Sequence, residues 1–288
     1  MFSQLKILLA IPKAPVRGRV VIFVLICLIL YSATLVGLLI AWYALDTTVP
    51  FHWFNDSAGW LFVDKFGHFY IAFIECSILS KVWRWTGLTE KRCILIASGI
   101  AFVSQSSYEI FDGFSASYGA SATDILANAM GVAVFVMQFI FFKRLFLSLK
   151  FSFHATSFAH LRPIIFGDSI IQQILKDYNG QTYWFTFDLN ELTRRRVLPS
   201  WLFITVGYGG DGMLGGDDNV WTSEDGEVHD YSHVVRTSRV MFSIDFNWSR
   251  ITNKYVRYLC HIFTYIKFPT PTVEINVAKG FRFHWIYF

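Results

Sequence analysis

Three sets of polar residues recur at helical spacing inside otherwise apolar sequence. Asp64, His68 and Glu75 are four and seven residues apart, so a helix puts them on one face. Gln105, Glu109 and Asp112 form a second set, and Asp124, Asn128 and Gly131 a third. Ser121-x-x-Asp124 has the form of a capping box with Asp in place of Glu, which marks a helix start. Asp64 and His68 begin a helix, Glu109 and Asp112 end one, and Asp124 and Asn128 begin one. A series of antiparallel hairpins would bring those ends to one membrane surface. The expectation is that Asp64, His68, Glu109, Asp112, Asp124 and Asn128 converge. Lys65 would offset the carboxylates, although it sits about 100° off the stripe.

Two kinds of chemistry fit these residue types. In the first, His68 is a base oriented by Asp64, with Glu109 or Asp124 as acid, in a membrane-embedded hydrolase or transferase. The catalytic candidates are then His68, Asp64 and Glu109. Nucleophiles are poor: Ser104, Ser106, Ser107 and Ser121 sit in no nucleophile-elbow context. In the second, Asp64, Lys65, His68, Glu109, Asp112, Ser121, Asp124 and Asn128 form a cluster without catalysis. That cluster organises the helices or holds a ligand, a lipid headgroup or a partner. The non-enzymatic class is favoured. Crowded carboxylates titrate higher or need a cation. No His-Glu-x-x-His or similarly tight ligand spacing occurs, so neither a metal nor a cofactor is expected.

The elements that must carry these residues read as membrane helices. The 288-residue chain is 54% hydrophobic and only 16% charged, against about 25% charged in ordinary soluble domains. Val20 to Tyr43 is free of charge and, as a helix, about 36 Å long, enough to cross a hydrocarbon core of about 30 Å. Lys6, Lys13, Arg17 and Arg19 precede it. No small-x-small cleavage site follows directly, so the segment reads as an uncleaved anchor. Phe66–Trp83, Cys93–Tyr108 and Ile125–Phe142 follow as weaker spans whose polar groups must face one another or a wet cavity. Lys and Arg alternate between connections, which puts the N-terminus inside by the charge rule. Trp42, Trp53, Trp60, Trp83 and Trp85 fall near predicted helix ends. Cys27, Cys76, Cys93 and Cys260 show no pair or metal spacing and read as small buried hydrophobes. No basic face for nucleic acid occurs.

The pattern Asp64-Lys65-x-x-His68, Glu109-x-x-Asp112-Gly113, Ser121-x-x-Asp124-x-x-x-Asn128-x-x-Gly131 resembles the YfiM-like family. Its members are described as periplasmic lipoproteins of unknown function. More distantly the order resembles VanZ-like membrane proteins. The resemblance covers about residues 50–145. Phe51-His52-x-Phe54-Asn55-Asp56 and Lys176-Asp177-Tyr178-Asn179-Gly180-Gln181-Thr182-Tyr183-Trp184 resemble the longer form found in Bacteroidota. The resemblance implies an envelope location and no activity. The chain departs from the lipoprotein label, because Leu25-Ile26 before Cys27 lacks the small residue of a lipobox.

From about residue 150 the period changes to two. Val240, Phe242, Ile244, Phe246 and Trp248 alternate with Met241, Ser243, Asp245 and Asn247. Tyr183–Phe187, Val273–Val277 and Phe281–Tyr287 alternate likewise, and Asn179-Gly180 is a turn signal. Phe151–His154 and Trp201–Tyr208 read as further strands, and Asn253–Phe268 as a short amphipathic helix. Such a sheet is either a β-rich domain packed on the membrane or the helices, which is favoured, or a set of membrane-facing strands. The acidic stretch 211–230 reads as a solvated hairpin loop. Arg194-Arg195-Arg196 reads as a solvated run, with an anionic lipid contact as the sharper alternative.

The fold expected is therefore an α+β membrane protein. A basic segment 1–19 leads into an antiparallel bundle of about four helices over 20–148, and a β-rich antiparallel domain over 149–288 follows. Its setting is a bacterial cell envelope: the inner membrane by the charge rule, or the outer membrane if the first apolar segment serves for export. Partners expected are membrane lipid and an envelope protein or cell-wall ligand, with no nucleic acid.

Overall fold

The computed structural model describes residues 10–40, 47–223 and 225–288. Lys6, Trp42 and Tyr43, named above, and Glu224 of the acidic stretch lie outside the described residues. Four long helices occupy the N-terminal half: α1 (Arg17–Leu38), α2 (Val63–Trp83), α3 (Glu90–Asp112) and α4 (Ala122–Met137). The expected count of about four helices is nonetheless corrected to eight among the described residues. The others are α5 (Pro163–Phe166), α6 (Ile170–Lys176), α7 (Leu189–Thr193) and α8 (Lys254–Leu259). Each is too short to display a 3.6-residue period. Side-chain caps start two of them: Ser169 accepts from Gln172 N, and Asp188 accepts from Asn190 N and Glu191 N, whereas α5 opens on Pro163 without a side-chain cap. The helix expected over 253–268 is only α8 plus a 3₁₀ turn, Cys260–Thr264.

Length and composition make α1, α3 and the stretch Ala122–Phe142 sufficient to cross a membrane. The segment α2 is not among them, because Asp64, Lys65, His68, Glu75 and Lys81 dilute its apolar residues.

The chain divides into two compact units. Residues up to 55 together with 71–140 form a helical unit; residues 56–70 together with 141–288 form a strand-rich one. The division falls inside α2. In the helical unit, Phe23, Trp83, Cys93 and Ala97 make a core in which the Phe23 and Trp83 rings meet edge-on at 4.7 Å. The Phe73 and Phe135 rings meet at 5.5 Å. His52 N donates to Gly113 O and Ala120 N to His52 O, so the 113–120 loop between α3 and α4 is clamped by the 47–54 segment.

The strand-rich unit contains β1 (Leu147–Phe153), β2 (Gln181–Phe187), β3 (Leu202–Asp211), β4 (Val220–Thr222), β5 (Val228–Asp230), β6 (Thr237–Phe246), β7 (Thr270–Asn276) and β8 (Gly280–Tyr287). Six of them pair antiparallel in the order β1-β2-β3-β6-β7-β8, and β4-β5 is a small hairpin inside the acidic stretch. The main sheet is strongly curled. Four strand spacings, about 19 Å if flat, separate β2 from β8. Yet Thr182 Oγ1 and Tyr287 Oη are 3.1 Å apart. The outer edge of β1 is covered by the chain just before β7: Phe151 N donates to Tyr265 O, and Lys267 N to Phe151 O.

Curling decides which face is inside, and it is the polar one. On β6, Thr237, Arg239, Met241, Ser243 and Asp245 are buried, while Phe242 is exposed and Val240, Ile244 and Phe246 are half-buried. On β7 the buried residues are Thr270, Thr272, Glu274 and Asn276. Much of the interior is paired by its own bonds, although His154 Nδ1, Arg239 Nε and Asn276 Nδ2 have no hydrogen-bond partner among the described residues. Lys150 Nζ lies 2.9 Å from Asp245. Lys267 Nζ donates to Ile244 O, Phe268 O and Thr270 Oγ1, and Trp184 Nε1 to Ser152 Oγ. Arg239 donates to Asn179 O at 2.6 Å. The apolar outer face is covered over β1–β3 by the start of α2, where Phe66 stacks on Tyr208 at 4.5 Å and Tyr70 meets Phe151 and Tyr183. Over β7 and β8 it is bare: Phe281 is 70% and Trp285 79% exposed.

Candidate functional site

The strand-rich unit assembles one polar group around Asp64. Residues Trp60, Leu61 and Phe62, just before α2, all have positive φ of 51–63°. Such a left-handed turn costs L-residues roughly 1–2 kcal/mol each, so its surroundings must hold it. Trp60 N donates to Gly216 O at 2.8 Å, and Tyr208 Oη donates to Leu61 O at 2.6 Å. The Trp60 ring packs on Phe166 and Tyr178. Local strain held by tertiary contacts is a mark of functional segments, and here it aims the first turn of α2.

That turn carries Asp64, Lys65 and His68. Lys65 Nζ lies 2.6 Å from Asp56 Oδ2 and 3.0 Å from Asp64 Oδ2. Tyr178 Oη donates to Asp64 Oδ1 at 2.8 Å. His68 Nε2 stands 3.8 Å from the same oxygen, one helical turn on and beyond hydrogen-bond length. One lysine therefore joins two carboxylates, and one carboxylate faces a lysine, a tyrosine and a histidine. All four ionic side chains are 11–24% exposed, so the group is reachable from solvent.

Tyr178 is held by a stapled turn. Asn179 Nδ2 donates to Asp177 Oδ1 and to Met213 O, and Met213 N donates to Asn179 Oδ1. Thr156 donates to Asp177 Oδ2. Burial pushes the Asp177 carboxyl up, and the bonds from Thr156 and Asn179 oppose that. Gly180 has no room for a side chain, since a Cβ there would strike His154 O. Gly67, on α2, has the Tyr183 hydroxyl 2.9 Å from where its Cβ would sit, which allows the helix its close approach to β2.

The helical unit assembles a second polar group. Glu109 is 2%, Ser121 2%, Asp124 4% and Asn128 0% exposed. Ser121 N donates to Glu109 Oε2 at 3.2 Å, and Asp124 N to Ser121 Oγ at 3.1 Å, which caps α4. The backbone carbonyl of Asp112 accepts from Ser115 N and Gly119 N. Neither Asn128 Oδ1 nor Asn128 Nδ2 has a hydrogen-bond partner among the described residues. Leaving a buried polar group unsatisfied costs about 1–3 kcal/mol. Glu75 is fully engaged: Ser104 Oγ and Gln105 Nε2 each donate to one of its oxygens.

The eight residues expected in one cluster are shared between the two compact units of the chain. Asp64, Lys65 and His68 belong to the strand-rich unit; Glu109, Asp112, Ser121, Asp124 and Asn128 belong to the helical unit. Sequence reasoning on helix stripes passed over Asp56 and Tyr178. Both lie in the stretches Phe51–Asp56 and Lys176–Trp184 that carry the longer resemblance, which was the signal available for them.

A family model described as "Predicted periplasmic lipoprotein (DUF2279)" matches residues 52–140. This fits the YfiM-like resemblance and a cell-envelope setting; nothing in the match speaks for the VanZ-like one. No curated protein and no solved structure matches the chain.

Proposed function

We propose that this chain is an integral, non-enzymatic protein of a bacterial cell envelope. In this reading the Glu109–Ser121–Asp124–Asn128 group binds a polar ligand, a lipid headgroup or an envelope partner. The observation that carries it is Asn128, wholly buried with both side-chain atoms unpartnered among the described residues. A residue kept only for packing would be better replaced by an apolar one. The three helices long and apolar enough to span a bilayer, and the family description, support the envelope setting. Three of the four candidate serine hydroxyls are committed elsewhere, which supports the absence of catalysis: Ser104 bonds Glu75, Ser107 bonds Ser104 O, and Ser121 caps α4, while Ser106 Oγ has no hydrogen-bond partner among the described residues.

Asn128→Leu tests the binding role. The expected result is unchanged or raised thermal stability in detergent, with loss of whatever co-purifies from native membranes. A variant that melts lower and still co-purifies the same material overturns it. Carbonate and high-salt washing tests the location, and recovery of most of the protein in the soluble fraction overturns that part.

A further inference from the structure

One end of the curled sheet opens into a cavity of about 490 Å³ whose lining includes Lys150, Arg144, Arg250 and the rings of Phe246, Trp248 and Phe263. A second, shallower cavity of about 380 Å³ shares Arg144, Glu191 and Arg250 with it and adds Arg194, Arg195 and Arg196. The charges around this double cleft do not balance. Lys150 is paired with Asp245, and Arg144 with Glu191 at 2.7 Å. Asp188 caps α7 and, with Glu191, supplies only two carboxylates to the lining against the arginines. Arg194, Arg195, Arg196 and Arg250 have no ion pair among the described residues. Arg194 is held in a left-handed conformation, φ 56°, as the C-cap of α7. Four guanidinium groups crowded on one cleft repel each other unless an anion offsets them. Guanidinium groups suit phosphate oxygens, which they can engage with two bonds at once. The aromatic wall of Phe246, Trp248 and Phe263 beside them adds an apolar surface, so the cleft is two-sided in character.

We infer that this cleft binds the phosphate group of an anionic amphiphile, with the head on Arg194, Arg195, Arg196 and Arg250 and the apolar part against Phe246 and Trp248. The site lies wholly within the strand-rich unit and does not depend on the role given to Asn128.

The whole chain, purified in a non-ionic detergent, is titrated with dioleoyl phosphatidylglycerol, with dioleoyl phosphatidylcholine and with inorganic pyrophosphate, and adducts are read by native mass spectrometry. Phosphatidylglycerol is expected to bind at least about tenfold tighter than phosphatidylcholine. Each guanidinium near such a headgroup contributes about fivefold, so Arg195→Gln with Arg250→Gln weakens binding by about 25-fold. Both side chains are exposed and unpaired, so their removal leaves the fold intact. Glu191→Gln releases Arg144 and tightens binding, a gain that a general loss of folding could not produce. Pyrophosphate binding of similar strength supports the phosphate site and assigns it to a free phosphate ester; failure of pyrophosphate to compete supports a lipid source. Equal affinity for the two lipids without pyrophosphate binding, or no response to the Arg195 and Arg250 substitutions, overturns the inference.

Discussion

Tyr178 donates its hydroxyl to Asp64 across 2.8 Å, although the two residues are 114 positions apart in the chain. This bond ties the stapled Asp177–Gly180 turn to the first turn of α2, and it fixes the carboxylate that Lys65 and His68 face. Hydrogen bonds to charged groups contribute about 1.5–3 kcal/mol. Tyr178→Phe keeps the ring packed on Trp60 and removes only the bond. It is expected to lower stability by that amount in a denaturant or thermal melt. A change under about 0.5 kcal/mol would show that the bond does not hold the site.

Phe62 is half-exposed at 50% and has φ 63°. Glycine elsewhere in ordered structure costs about 0.5–1 kcal/mol relative to alanine. Here relief of the left-handed strain offsets that cost, so Phe62→Gly is expected to leave the melting temperature unchanged or raise it. A drop of more than a few degrees would mean that the Phe62 side chain contributes packing that outweighs the strain.

Lys150 and Asp245 form an ion pair inside the curled sheet, 2% and 0% exposed. Breaking such a pair leaves one buried charge uncompensated, at about 3–5 kcal/mol. Lys150→Met alone is expected to be strongly destabilising. Lys150→Met with Asp245→Leu should lose less than the two single changes summed, because only Lys267, which keeps its bonds to Ile244 O, Phe268 O and Thr270 Oγ1, is then left without Asp245. A double-mutant cycle with no coupling between the positions would sink this account.

His154 sits against the polar interior, where burial first and then Arg239 hold its ring well below the ordinary 6.5, at about 4; His284 acts in the same direction, and Asp211 and Glu274 oppose it. The unfolded chain therefore binds a proton near pH 6.5 that the folded chain refuses until about pH 4. Stability from this residue is complete above pH 6.5 and declines as pH falls from there to about 4. The loss is on the order of 3 kcal/mol at about 1.4 per pH unit. Melts of wild type and His154→Gln between pH 7 and 4 check this: the variant should show the shallower decline. Parallel curves would assign acid sensitivity to other groups.

The sequence by itself determined the periods. The charge-poor 3.6-residue stretches became α1 to α4, the two-residue alternation became β6, β7 and β8, and Asn179-Gly180 became the turn before β2. Local backbone preference and side-chain spacing suffice for that, because both act within a few residues. The Ser121 cap was legible for the same reason, since its partner Asp124 N is three residues away. Alternation defines two faces of a strand but not which one is enclosed. Only the curl of the sheet, closed by residues 265–267 on the edge of β1, put Asp245, Arg239 and Lys150 inside and left Phe281 and Trp285 outside. Asp56 and Tyr178 joined Asp64 by the same kind of event. Their partnership depends on where the left-handed turn at 60–62 points α2, and that turn exists because Gly216 and Tyr208, distant in sequence, hold its backbone.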